Sequence, residues 1–151
     1  MREIKLRAKQ INDNNWLSGY GVIIGDGFCA IPYTISGNIH DWKLTTITCD
    51  INTLGRYTGL KDKNGKEIYE GDILRSNEYP FNCDGVDNYF VEVVWVDNVC
   101  GFYRLTHKNP NSTVSGISHG NWSQLDEEDI KSFEVIGNIH DNPELIKEEE
   151  K

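Results

Sequence analysis

Glu67, Glu70 and Asp72 bring three carboxylates close together along the chain. Such a group could do acid–base or metal chemistry, because carboxylates sharing a cleft drive each other's pKa values apart. These three also flank turns and the start of a strand, where carboxylates accept hydrogen bonds from backbone amides. The structural role is the expected one, and no catalytic residue is assigned.

A second pattern is a repeat. Gly37-Asn38-Ile39-His40-Asp41 recurs word for word as Gly137-Asn138-Ile139-His140-Asp141. A duplicated His/Asp pair would suit a metal ion or a proton relay. The similarity stops at both edges, however: Thr34-Ile35-Ser36 does not match Glu134-Val135-Ile136, and Trp42-Lys43 does not match Asn142-Pro143. Structural repeats extend over whole supersecondary units, and ligand types without ligand spacing do not define a metal centre. No metal and no cofactor are assigned.

The remaining chemical patterns are weaker. No Gly-x-Ser-x-Gly element presents a nucleophile. Gly19-Tyr20-Gly21 and Gly25-Asp26-Gly27 precede strands rather than helices and lack the Gly-Lys-Ser/Thr of a phosphate loop. Cys29, Cys49, Cys83 and Cys100 contain no CxxC pair and read as buried, reduced thiols. Trp95, Phe102 and Tyr103 with Lys61, Lys63, Lys66, Arg75 and Arg104 could form a face that stacks nucleic-acid bases. Strand alternation sends some of those aromatics into the core, and a net charge of -9 opposes a phosphate backbone. Nucleic acid therefore ranks behind protein as a partner.

The elements that would position all of these residues are strands. Residues 1–7 alternate charged and apolar side chains, lack the continuous apolar core of a secretory signal, and read as an edge strand. Two apolar runs around Gly25-Asp26-Gly27 form a hairpin, and Leu44 to Cys49 is a β-branched strand ending in the polar turn Asp50 to Thr53. From Gly55 to Arg75 the chain is punctuated by glycine. Asn64-Gly65 is its strongest turn signal, Asp62 can bond amides within that turn, and Gly71 permits a kink before Ile73 and Leu74.

Phe90 to Val96 alternates as a central strand, and Asp97 to Gly101 turns it into Phe102 to Leu105. Lys108 to Ser118 reads as an exposed, mobile loop. Ser123 or Asp126 caps a short acidic helix ending near Ile130, and Phe133 to Ile136 resumes the strand pattern. Asn142, Pro143 and Glu144 have the residue types of a helix start and announce a terminal helix. At 151 residues the chain can bury about two-thirds of its unfolded surface without disulfides or metal. It has no apolar run near the ~20 residues that span a bilayer.

These residues resemble the YopX family, small proteins of bacteriophages and prophages in Gram-positive bacteria. The resemblance lies in Arg2 to Ala8, in Tyr57-Thr58-Gly59-Leu60 through Tyr69-Glu70-Gly71-Asp72-Ile73, and in Val135 to Ile139 with Asn142-Pro143-Glu144-Leu145. Its structural signature comprises Tyr57, Gly59, Asp62, Asn64, Gly65, Tyr69, Glu70, Gly71, Asp72, Gly137, Asn138 and Pro143. The chain departs from the family pattern at Lys9-Gln10, where an aromatic is usual after Ala8, and at His140-Asp141, where Tyr-Glu is commoner. The resemblance implies an accessory protein of a mobile element. It supplies no reaction, ligand or catalytic residue.

The resulting expectation is an α+β, predominantly β protein: an amino-terminal β lobe over residues 1–56, and a carboxy-terminal SH3-like, partly open small barrel over 57–151 with two short helices. The two together make one YopX-like domain. The expected function is a non-enzymatic protein-interaction module of a phage or prophage, cytoplasmic in the bacterial host, binding a host or phage protein and forming homo-oligomers through sheet edges. A nucleic-acid-binding accessory protein is the first alternative. A hydrolase using Asp72 or His140 is the second, and it requires a cavity where Glu67, Glu70, Asp72 or His140 converge.

Overall fold

In the computed structural model the described residues are 3–38, 40–114 and 122–147, and the chain divides after Gly59 into two units. The fold is predominantly β, and its larger sheet forms half of a barrel.

The first unit contains β1 (Leu6–Lys9), β2 (Trp16–Gly19), β3 (Ile23–Ile24), β4 (Cys29–Asn38) and β5 (Asp41–Cys49). β6 (Gly55–Lys61) begins in this unit and runs into the second. β1 is not the edge strand expected from its alternation. It pairs antiparallel with β2 on one side and with β6 on the other, because its inward residue Ala8 is fully buried beside Cys29, Ile31 and Cys49. β3, β4 and β5 form a separate three-stranded sheet. The hairpin expected around Gly25-Asp26-Gly27 joins β3 to β4, closed by the Gly25 amide donating to the Phe28 carbonyl at 3.0 Å. Asp50 then caps a single 3-10 turn, Ile51–Thr53, by accepting from the Asn52 amide.

The second unit contains β7 (Glu67–Tyr69), β8 (Asp72–Ser76), the short hairpin β9 (Asn82–Cys83) and β10 (Val86–Asp87), β11 (Tyr89–Val96), β12 (Gly101–Lys108), β13 (Trp122–Gln124), α1 (Glu127–Ile130) and β14 (Phe133–Asn138). Five of these strands make an antiparallel sheet in the order β13-β12-β11-β8-β14. β11 is the central strand, as its alternation predicts. Val91 and Val93 point into a core with Ile68, Leu74, Phe102, Leu125, Ile130 and Phe133.

The half-barrel is open on one side: among the described residues no pairing closes β13 onto β14. The free edge of β14 is already occupied: the Phe133 carbonyl accepts from the Lys63 amide at 3.0 Å, and the Val135 amide donates to Asp62 Oδ2 at 3.0 Å. The described residues contain one α-helix, the four-residue α1, capped by Asp126. At Asn142 the chain makes one 3-10 turn, Pro143–Leu145, instead of a helix, because the Asn142 side chain does not cap that turn. Its Oδ1 accepts from the Asn138 amide at 3.4 Å.

The loop after β12 is also less free than its composition suggests. Ser112 is buried and its hydroxyl donates to Asn88 Oδ1 at 2.6 Å, while the Asn109 amide donates to the Asn88 carbonyl. Residues 115–118 of the expected loop lie outside the described residues.

Candidate functional site

Asp62 follows directly on β6, at the start of the turn that leads to β7. One carboxylate oxygen accepts from the amides of Asn64 and Lys66, at 2.8 and 2.9 Å, which closes the Asn64-Gly65 turn. Gly65 sits at φ 84°, a left-handed conformation that glycine adopts without strain. The other oxygen takes the Val135 amide across the unit. Burial alone pushes this carboxyl up, but the amides of Val135, Lys66 and Asn64 outweigh it and hold Asp62 below the usual carboxylate range. This is a fastener between the turn and β14.

The neighbouring carboxylates are similarly engaged. Asp72 is 1% exposed and accepts from the Tyr69 amide at 2.8 Å. Glu67 accepts from the Tyr69 hydroxyl at 2.7 Å, and Tyr69 is itself buried. Glu70 is half-buried.

Gly71 lies at φ 85°; its amide donates to the Val93 carbonyl and its carbonyl accepts from the Ile139 amide. A Cβ there would lie 3.7 Å from His140 Nε2, so the His140 ring packs over Gly71. Asp72 and Asn138 are register partners between β8 and β14. The central and closing signature stretches are thus joined along one strand pair. Of the other signature residues, Tyr57 is buried on β6 and its amide donates to the Lys5 carbonyl; Gly59 stands at φ 85°; Pro143 opens the last 3-10 turn.

The pentapeptide repeat has a local explanation. In the first copy Asn38 Oδ1 accepts from the amides of His40 and Asp41, at 2.9 and 3.1 Å. In the second copy Asn138 Oδ1 accepts from His140 and Asp141, at 3.0 and 2.9 Å. Each copy is the same asparagine-capped turn, which these residue types encode locally. The two glycines differ. Gly37 stands at φ 110° before the turn joining β4 to β5, whereas Gly137 is required by close packing, since a Cβ there would overlap Asn142. The repeat therefore encodes a turn, and the copies fall in different units. Among the described residues no three His, Cys, Asp or Glu side chains are placed to hold a metal ion.

The expected base-stacking face is also changed. Phe102 is buried edge-on against Trp95, ring centroids 4.9 Å apart. Three of the five cations are neutralised: Lys63 and Arg75 by Glu134, Arg75 also by Asp87 at 3.7 Å, and Arg104 by Asp129 at 3.1 Å. The Arg75 guanidinium holds the Glu134 carboxyl below its usual range. The thiols split by location. Cys29 and Cys49 are buried, which pushes both thiols up, but Cys83 is half-buried and Cys100 exposed, contrary to the expectation of four buried cysteines.

Sequence reasoning missed three features. A cavity of about 450 Å³ lies between the loop after β8 and the α1–β14 segment, walled by Glu78, Tyr79, Phe81, Arg104, Asp129 and Lys131 among others. None of Glu67, Glu70, Asp72 or His140 lines it. On the sheet, His107 Nε2 lies 2.7 Å from Glu92 Oε2, both half-buried. The first unit exposes Tyr20, Ile23, Ile24, Phe28 and Tyr33. Only the last had a signal in the sequence, as apolar residues crowded around a turn.

The pattern of the YopX protein family matches residues 5–147. The chain belongs to the YopX family. Among solved structures it is similar to protein EF1440 from Enterococcus faecalis, with a TM-score of 0.60 and 24% identity over 95% of this chain and 98% of that one. At that identity the likeness speaks for the fold alone. No curated protein matches the sequence significantly. In this YopX member Asp62, Gly71, Asp72, Gly137 and Asn138 all act on backbone or on close packing.

Proposed function

We propose that this YopX family member is a non-enzymatic protein-interaction module of a phage or prophage, acting in the host cytoplasm on a host or phage protein. One observation carries the proposal. Between Tyr20 and Tyr33, five large apolar side chains stand exposed: Tyr20 at 71%, Tyr33 at 63%, Ile24 at 62%, Ile23 at 48% and Phe28 at 42%. Single exposed apolar residues are ordinary, but several on one hairpin segment mark an interaction surface. Self-association through the edges of the β3-β4-β5 sheet belongs to the same proposal. So does an SH3-like mode in which the partner lies across the open half-barrel. The pairing of Lys63, Arg75 and Arg104 with carboxylates supports ranking nucleic acid second.

The test compares the native chain with a Tyr20→Ser/Ile24→Ser/Tyr33→Ser variant. Each is cross-linked in phage-infected host cells, with light scattering on the purified proteins. The native chain is expected to hold a defined protein in near-stoichiometric amount, and the variant, with an unchanged circular dichroism spectrum, to lose it. Equal capture by both chains refutes the proposal. So does a native chain that holds no protein but shifts nucleic acid in a salt-dependent gel assay.

A further inference from the structure

The cavity beside α1 has a chemistry that selects its occupant. Three rings join the charged residues of its lining: Phe81 and Phe133, which meet edge to face with centroids 5.0 Å apart, and Tyr79, which is exposed. Its own cations are already paired. Arg104 Nη1 lies 3.1 Å from Asp129 Oδ2, and Lys131 Nζ lies 2.7 Å from Glu128 Oε2. Among the described residues the exposed Glu78 side chain makes no hydrogen bond or ion pair, which leaves one lining carboxylate without a counter-charge.

An anion entering here would meet three carboxylates and only two cations, both already paired. A neutral apolar group would strip water from Glu78 without replacing it. A cation satisfies Glu78 with a charge-assisted hydrogen bond and can stack on the exposed ring of Tyr79. Among cations, a planar guanidinium both stacks on rings and pairs bidentately with a carboxylate.

We propose that this cavity receives an arginine side chain of the partner protein. The proposal rests on the interaction-module function and adds the chemistry of the partner: a basic segment, which the net charge of -9 also draws toward this chain. The exposed apolar hairpin and the cavity would then contribute separately, one by burial and the other by charge.

The test is an amide NMR titration of the full chain with N-acetylarginine amide. Saturable shifts are expected at Tyr79, Phe81, Lys131 and Ser132. The uncharged citrulline analogue is expected to bind at least tenfold more weakly, and Glu78→Gln, an exposed change that leaves the fold intact, to weaken the arginine compound about tenfold. Tyr79→Ala is expected to weaken it about threefold. Equal binding of the citrulline analogue overturns the proposal, as do matching shifts with inorganic phosphate. Spermidine binding more tightly than the arginine compound assigns the cavity to a free amine and overturns it too. No arginine binding, with the partner still lost in the Tyr20/Ile24/Tyr33 variant, refutes the cavity proposal alone. Arginine binding with the partner retained by that variant refutes the hairpin surface alone.

Discussion

Replacing Asp62 tests whether its contact with Val135, 73 residues away, holds the turn to β14. In Asp62→Asn the retained oxygen can still accept from Asn64 and Lys66, but an amide N–H₂ now faces the Val135 N–H, donor against donor. A half-buried amide left unsatisfied costs about 1–3 kcal/mol. Asp62→Ala removes all three bonds. Asn64 and Lys66 are exposed residues whose amides can regain water, so each adds only about 0.5–1 kcal/mol, and the total is about 2–5 kcal/mol. The assay is urea denaturation at pH 7, read with hydrogen exchange at the Val135 amide.

The effect must also depend on pH in one direction. The folded carboxyl is depressed below its ordinary value near 3.9, so its stabilisation is complete above about pH 4 and disappears as pH falls through the folded value. The gap between the native chain and Asp62→Asn should therefore narrow in acid. Two results refute this account: Asp62→Asn within about 0.5 kcal/mol of native at pH 7, or Val135 exchange unchanged in both variants.

Other expectations concern the glycines, the repeated turn and the thiols. Gly71→Ala, which forces a side chain into a left-handed conformation 3.4 Å from Ile139 Cγ1, should lose about 1–2 kcal/mol in the same denaturation. Gly137→Ala should be destabilising through overlap with Asn142. The Gly137→Ala/Asn142→Ala pair should recover part of that loss, and a strictly additive double-mutant cycle counts against the overlap. Asn138→Ala should cost more than Asn38→Ala. Asn138 is buried and also donates to Asp141 at 3.0 Å, whereas Asn38 is exposed; equal losses would show that burial does not matter at this turn. A thiol reagent at neutral pH should modify Cys100 and Cys83 in the folded chain and reach Cys29 and Cys49 only on unfolding, since burial raises the latter pair; mass spectrometry of the modified sites decides it.

Much of the local structure was legible because its causes act over a few residues. Asn64-Gly65 made its turn, Gly71 adopted its positive φ, and the alternation from Phe90 to Val96 produced the central strand with Val91 and Val93 inward. The terminal helix failed where the signal depended on competition: Asn142 had the right type for a cap, but the Asn138 amide, four residues earlier, claimed its oxygen. β1 failed differently. Charged–apolar alternation reports that one face is buried, not how many neighbours a strand has, and β1 has two.

The sequence by itself determined the strand periodicity, the glycine turns and the family, since backbone sterics and side-chain-to-amide bonds reach only three or four residues. The repeated Gly-Asn-Ile-His-Asp is the plainest case: one pentapeptide, the same capped turn twice. Only the tertiary structure decided which charges are neutralised and which remain. Arg75 meets Glu134 and Asp62 meets Val135 from 59 and 73 residues away, while Glu78 is left facing a cavity. Those outcomes depend on distances in space between strands, which no spacing along the chain records.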